Sequence, residues 1–366
     1  MKIAFYSPYL PKHTGGGEKY LFDCASIAAT AGHEVFIALT SQSPLSSTER
    51  AAIKQRYEAF LNYSLDKITF ITTPLNTTAS FWEKLWWTKQ FDCLYYQTDG
   101  SLFFSLAKKN ILHIQVPLAI DKSSLLERLK LANWRIKNTN SYFTKKYIEK
   151  YWQTDIDYVH QPFVELPQKI TQIPKKNIIL SVGRFFSQLH SKRQDVLVEF
   201  FRQLCQIEPK LSKNWELVLV GQIEDQEYAN RVHKLAQSLP ITFHHHLNRE
   251  ELLKLYGQAK IYWHATGFGI DVERDPAKAE HFGISTLEAM AAGAVPVVIN
   301  LGGQREIVTD ELSRFLWNNK DECLQKTIAL MKDEQARIQA ADQARTQSLQ
   351  FSQAKFTKVL LTMLER

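Results

Sequence analysis

Glu280 and Glu288 are two carboxylates eight positions apart, and their neighbours suggest what they could hold. His281-Phe282-Gly283-Ile284 is a turn-like entry into an Ala- and Leu-rich run that favours helix and closes at Gly293. Val295 to Ile299 is a short apolar run that reads as a buried strand. A helix starting near Phe282 would point its first free N–H groups at whatever lies in front of Gly283, an anion site suited to phosphate. One acid beside that anion and another along the helix could grip two parts of one long, hydroxyl-rich ligand. The spacing alone fits a surface helix with solvated acids better.

Other residues invite chemistry. Gly15-Gly16-Gly17 follows the first apolar run, where backbone N–H groups can face a phosphate. The run is neither G-x-G-x-x-G nor a Walker loop, which argues against a dinucleotide dehydrogenase or a P-loop nucleotidase. Ser181-Val182-Gly183-Arg184-Phe185 precedes Ser191-Lys192-Arg193, placing cations just after a strand. His113 stands at a strand end and is expected to face a cleft. His244-His245-His246 resembles a metal tract, but neighbours on a strand point to opposite faces and no carboxylate or cysteine is spaced to join them. Asp271, Glu273 and Asp275 read as solvated loop acids.

These residues need elements to position them. Residues 2–6 and 34–39, then 67–71, 91–96 and 111–114, read as strands, with helical patterns at 19–30 and near 79–88. Strands alternating with helices imply a parallel sheet covered on both faces. Residues 165–176, holding Pro167 and Pro174, read as a linker. A second series follows, with strands at 177–183, 216–221, 241–243 and 260–263, and helices near 192–206, 225–238 and 248–257. The tail, 320–366, reads as helical. The expected division is 1–165, 166–350 and a final helix within 351–366. Two α/β halves would place a ligand between them, at the carboxyl ends of strands.

Length and composition set bounds. A chain of 366 residues with 45% hydrophobic and 23% charged residues can build two full cores. No window approaches 18 uninterrupted apolar residues, and the start is too short for a signal peptide core. Four scattered cysteines read as reduced and cytosolic. A net charge of +7 favours a polyanionic partner, although nothing reads as a nucleic-acid recognition module. Residues 122–137 place Leu125, Leu129, Ala132 and Ile136 on one helical face, with Lys122, Arg128, Lys130, Arg135 and Lys137 around it. That is the pattern of a helix lying on an anionic membrane, and equally of a core-facing helix with a solvated basic side. Trp82, Trp86 and Trp87 would add to a membrane patch.

Glu-His-Phe-Gly-Ile through Glu-Ala-Met-Ala-Ala-Gly, residues 280–293, resembles the E-x7-E signature of retaining glycosyltransferases of family 4 with the GT-B architecture. The resemblance extends over the glycine loop, His113, the Thr139-Asn140-Ser141 strand end, Arg184 to Lys192, and 260–308. It implies two Rossmann-like domains facing across a cleft, with the last helix crossing back to the N-terminal domain. It implies transfer of a hexose, with mannose favoured, from a nucleotide sugar to a glycan or lipid-linked acceptor, with retention at the anomeric carbon. Arg184 and Lys192 would hold the diphosphate, whose charge grows as the glycosidic bond breaks. The loop 185–191 is slightly longer than the common pattern, so Arg193 could take the place of Lys192. Backbone groups near His281, Phe282, Gly283 and Ile284 would add to that site, as would Gly16, Gly17 and Gly183. Glu280 would bind sugar hydroxyls, Glu288 the ribose, and His113 the sugar from the other domain. Glu-His-Phe-Gly is similar to mannosyltransferases of lipid-linked oligosaccharide assembly, which favours GDP-mannose over a UDP-hexose and expects no cofactor or metal. The protein would then be cytoplasmic, peripheral on a membrane through 122–137. The insertion at 267–279 has no counterpart in the minimal pattern. A GT-B sugar phosphorylase and a non-catalytic nucleotide-sugar-binding subunit are the rival expectations.

Overall fold

The computed structural model describes residues 1–12 and 14–366. They divide into two compact units, Met1–Pro162 with Ala354–Arg366, and Phe163–Gln353.

The first unit is built on seven strands: β1 (Lys2–Tyr6), β2 (Glu34–Thr40), β3 (Ile68–Thr73), β4 (Cys93–Thr98), β5 (Lys109–Ile114), β6 (Ile136–Thr139) and β7 (Tyr158–Val159). They lie in the order β3-β2-β1-β4-β5-β6-β7, with every pairing parallel. Five helices connect them: α1 (Gly16–Thr30), α2 (Ser47–Leu61), α3 (Phe81–Lys89), α4 (Leu125–Asn133) and α5 (Tyr142–Trp152). Every residue of β4 is buried, as expected of a strand covered on both faces. α2 and α3 each start in a capping box, Ser46 with Glu49 and Ser80 with Glu83, which satisfies N–H groups that the helix leaves free.

The second unit has six parallel strands: β8 (Lys176–Val182), β9 (Glu216–Val220), β10 (Ile241–His244), β11 (Ala259–His264), β12 (Val295–Ile299) and β13 (Leu316–Trp317). Their order is β10-β9-β8-β11-β12-β13. The helices are α6 (Gln168–Thr171), α7 (Gln194–Ile207), α8 (Pro209–Ser212), α9 (Gln226–Leu235), α10 (Arg249–Gln258), α11 (Ile284–Ala291), α12 (Gln304–Ile307), α13 (Lys320–Lys332) and α14 (Glu334–Ser348). The last helix, α15 (Gln353–Glu365), joins the first unit from Ala354 onward. There Phe356 and Leu360 are buried, and His160 Nε2 lies 3.0 Å from the Phe356 carbonyl.

Some elements differ from the sequence expectation. α1 begins at Gly16, so Gly16 and Gly17 form its first turn and Gly15 caps it. The segment 122–137 is not one helix, because α4 ends at Asn133 and Ile136 opens β6. α4 also turns Leu125, Leu126 and Leu129 to solvent, at 77%, 55% and 52% exposure, and buries Leu131. Much of the basic charge there is engaged: Lys122 and Lys130 pair with Glu127, and Arg128 donates to Gln153. No helix among the described residues is long and apolar enough to cross a membrane.

Candidate functional site

In the second unit the chain leaves β8 for β9 on one side, and β11 leads to β12 on the other. The loops after β8 and β11 therefore diverge at their carboxyl ends, where an open α/β sheet has room for a ligand. Gly183 and Arg184 follow β8, His264 ends β11, and Glu280 lies in the loop between β11 and α11. Strand ends and one helix start thus bring together residues up to 97 positions apart in sequence, Gly183 and Glu280.

The centre is a three-residue cluster. Lys192 Nζ lies 2.5 Å from Glu280 Oε2, and His264 Nε2 lies 2.9 Å from the same oxygen. Thr266 Oγ1 is 3.2 Å from His264 Nε2. The Lys192 and Glu280 side chains are 16% and 13% exposed, while the His264 side chain is sealed at 1%. Gly183 is needed because the Lys192 stem lies where a Cβ would sit. Arg184, more exposed, donates to Glu224 at 2.9 Å and lies 3.1 Å from His190. Arg193 turns elsewhere, to Asp195 and to the Phe268 carbonyl at 2.7 Å. Lys192 rather than Arg193 therefore meets Glu280.

The loop carrying Glu280 is clamped from behind. Gly303 N–H donates to the Glu280 carbonyl at 2.8 Å, and a Cβ on Gly302 or Gly303 would run into the backbone of Glu280, His281 or Phe282. Gly283, with φ of 110°, caps α11 in a left-handed conformation that other residues rarely adopt. The helix starts at Ile284, two residues later than expected. No acid occupies its first turn, so the positive end of its dipole is not neutralised from within. The Gln304 carboxamide lies beside Gly283, fully buried, with neither polar atom partnered among the described residues. Phe282 packs on Phe351, and His281 Nε2 contacts the Ala277 carbonyl at 3.0 Å. The Phe282 side chain therefore serves the core, and what this loop can offer a ligand is chiefly backbone N–H.

Glu288 is 5% exposed and lies 2.5 Å from Arg249 Nη2 of α10, with Tyr256 close by. Neither Arg249 nor His264 was a candidate from sequence. Each lies far along the chain from its carboxylate, and only the β11–α11 and α10–α11 packing joins them.

Charge follows from these contacts. Burial alone would push the Glu280 carboxyl up, but the Lys192 ammonium and the His264 hydrogen bond outweigh it and hold the group well below the usual carboxylate range. Burial pushes His264 and His281 down, and drives His190 well down. At neutral pH the imidazoles are uncharged, which leaves Lys192 and Arg184 as the fixed cations available to a phosphate. Among the described residues no group of three or more His, Cys, Asp or Glu is placed to hold a metal ion. His245 lies 3.0 Å from both His233 Nε2 and the Gly221 carbonyl.

The first-unit candidates sit differently. His113 is fully buried, stacked on Tyr20 at 4.0 Å, with Nδ1 2.5 Å from Asn138 Oδ1, and burial pushes it down to about 3. The expectation that it faces a ligand is corrected: its ring is enclosed by the first unit's own core. Gly17 lets α1 approach the Gln97 and Gln115 side chains, which a Cβ would strike. Glu18 already places a buried carboxylate in the first turn of α1, so this helix start is the poorer phosphate cradle of the two.

Residues 164–347, just over half of the chain, match the family model described as glycosyl transferases group 1. The chain is 25% identical over 243 residues to the GDP-Man:Man(3)GlcNAc(2)-PP-Dol alpha-1,2-mannosyltransferase of Dictyostelium discoideum, a match covering 62% of this chain and 46% of that protein. The human protein of the same name is 25% identical over 248 residues, covering 62% and 47%. The chain thus spans about half the length of these curated relatives. Among solved structures, Anabaena HepE in complex with UDP and glucose superposes with a TM-score of 0.70 at 17% identity, covering 100% of this chain and 99% of that one. WaaG, a glycosyltransferase involved in lipopolysaccharide biosynthesis, does so at 0.61 and 17%, covering 98% and 99%. Two parallel-sheet α/β units with such neighbours make a GT-B fold. Together with the match across the unit that holds Lys192, Glu280 and Glu288, this makes the chain a member of the group 1 glycosyl transferases.

Proposed function

We propose that the chain is a retaining, metal-independent hexosyltransferase of family 4, with Glu280 and Glu288 as the two acids of its E-x7-E signature. The single observation that carries this reading is the Lys192–Glu280 contact in the loop that leads into α11, whose start has no side-chain cap and no acid in its first turn. It sets a cation, a carboxylate and free N–H groups together, the set needed to hold a sugar by its hydroxyls and its diphosphate by charge. Mannose from GDP-mannose is the favoured donor, supported by the likeness to the GDP-Man-dependent relatives. A UDP-hexose is the second choice, supported by the fold neighbour bound to UDP and glucose.

Arg184 and Lys192 neutralise the diphosphate as the bond from the anomeric carbon to the phosphate oxygen breaks. The acceptor oxygen bonds to that carbon on the same face, and its proton passes to the departing phosphate. The products are a glycoside and a nucleoside diphosphate. Glu280 holds sugar hydroxyls and Glu288 the ribose. His113 supports the first unit from within. A lipid-linked acceptor suits the PP-Dol named in the relatives, and a peripheral position on the cytoplasmic face of a membrane would follow. The exposed leucines of α4, with Phe81, Trp82 and Trp86 of α3 at 53%, 63% and 57% exposure, would make that contact mainly by apolar insertion.

The test is nucleoside diphosphate release from a panel of nucleotide sugars with EDTA present, for wild type, Glu280→Ala and Arg184→Ala. Release from one donor, lost in both variants, is expected. No release from any donor, with UDP and GDP binding also absent, would overturn the reading.

A further inference from the structure

Two donors converge on one oxygen of Glu280. Lys192 and His264 both reach Oε2, and among the described residues no hydrogen bond or ion pair reaches Oε1. The donors differ in kind. Lys192 ends a flexible stem in the loop between β8 and α7, so its ammonium can turn to another anion. His264 ends a central strand, and its short, buried side chain is 1% exposed.

The tautomer follows from the surroundings. His264 Nδ1 is buried and has no partner among the described residues. A proton there would be a buried unsatisfied donor, which is costly, so the proton belongs on Nε2, where Glu280 accepts it. The ring is thus a neutral, fixed donor aimed at the carboxylate.

We propose that His264 is the positioning residue that keeps Glu280 aimed while a donor substrate is bound. This rests on the functional reading above, in which the diphosphate draws Lys192 away. Without its cation, a mostly buried carboxylate would reprotonate or rotate. The His264 N–H then holds Oε2 and leaves Oε1 turned to a sugar hydroxyl. Being neutral, the imidazole does not compete for the phosphate. The titratable groups facing Glu280 are Lys192 from the β8–α7 loop, His264 and Tyr262 from β11, and His281 beside it with His190 against its ring.

The test uses the full chain as wild type, His264→Ala, His264→Gln and His264→Asn. Nucleoside diphosphate release is measured against donor concentration over short assays from pH 3.5 to 9, with a thermal melt of each variant. A Gln amide can place an N–H near the Nε2 position, whereas the shorter Asn cannot reach it. His264→Ala is expected to lower kcat by about 10- to 100-fold, the cost of misplacing a reacting group, with the donor KM within about threefold. Its acid limb should move up by about one pH unit as Glu280 loses a hydrogen bond. His264→Gln should recover most of kcat and return the limb, and His264→Asn should not. If His264→Ala does not fold, the Gln and Asn pair decides. Wild-type kcat and limb in His264→Ala would overturn the proposal. So would equal impairment in Gln and Asn with neither limb moved. A wild type that turns over no donor removes the functional reading, and the proposal falls with it; an active wild type with unaffected variants removes the proposal alone.

Discussion

Removing Lys192 should destabilise the protein more than removing both Lys192 and Glu280. The two side chains are 16% and 13% exposed and meet at 2.5 Å, so each charge depends on the other to remain in place. Breaking a buried pair from one side costs about 3–5 kcal/mol, because an uncompensated charge is left behind. Partial exposure and the remaining His264 hydrogen bond reduce this, to about 2–3 kcal/mol for Lys192→Met at pH 7. Lys192→Met with Glu280→Gln leaves no stranded charge and should be within about 1 kcal/mol of wild type, a coupling of at least about 1 kcal/mol. The pH dependence has a definite sign. In wild type the folded Glu280 carboxyl is held below its unfolded value, so its contribution is complete above about pH 4.3 and constant from pH 5 to 8. In Lys192→Met burial is no longer outweighed by the ammonium and the folded value rises. Where it passes the unfolded value, stability falls as pH climbs from about 4.3 through the raised value. The gap between wild type and Lys192→Met therefore widens from pH 5 to pH 7. Urea unfolding of the full chain, followed by circular dichroism at pH 5, 6, 7 and 8, measures it. A loss below 1 kcal/mol at pH 7, or a double variant equal to the sum of the singles, would refute the reasoning.

Two further outcomes follow from buried groups away from this pair. Lys175 donates to the Ala259 and Ala292 carbonyls and is pushed down to about 7 by burial, with Arg345 adding to the effect. The unfolded chain then binds the extra proton between about pH 7 and 10, so stability should rise over that window by at most about 1.4 kcal/mol per pH unit from this group. Urea midpoints at pH 7, 8 and 9 should climb less steeply, or fall more steeply, in Lys175→Met than in wild type, and identical slopes would refute the assignment. His113, held neutral to about pH 3 inside the first unit, should show no imidazole titration between pH 5 and 8 by NMR, and a midpoint near 6.5 would mean the ring is open to solvent.

How legible the site was depended on the range of the interactions. Residues 280–293 announce a turn, a helix and a following strand, because glycine, alanine and β-branched residues restrict the backbone locally. The alternation of strands and helices in both halves was equally readable, since apolar period follows from which faces must be covered. α1 begins three residues earlier than its apolar period predicts, because glycine is a poor helix former; Gly17 there lies against the Gln97 and Gln115 side chains. The expectation that His113 faces a cleft follows from its place at a strand end, which says nothing about which side chains will close over it. Tyr20, Asn138 and Tyr95 do so from three other elements.

The sequence by itself determined the class of the molecule: two parallel α/β series, a glycine-capped helix start in the second, and acids and cations flanking it. Those features arise from neighbours within a few positions, where propensity, capping and apolar period act. Tertiary structure alone decided which charges meet. Lys192 rather than Arg193 faces Glu280, His264 shares its oxygen, Arg249 closes on Glu288, and Gln304 is buried unpartnered beside Gly283. Each of these is a hydrogen bond or a contact between residues brought together by strand order, and their strength comes from exclusion of water, which exists only once the sheet is packed.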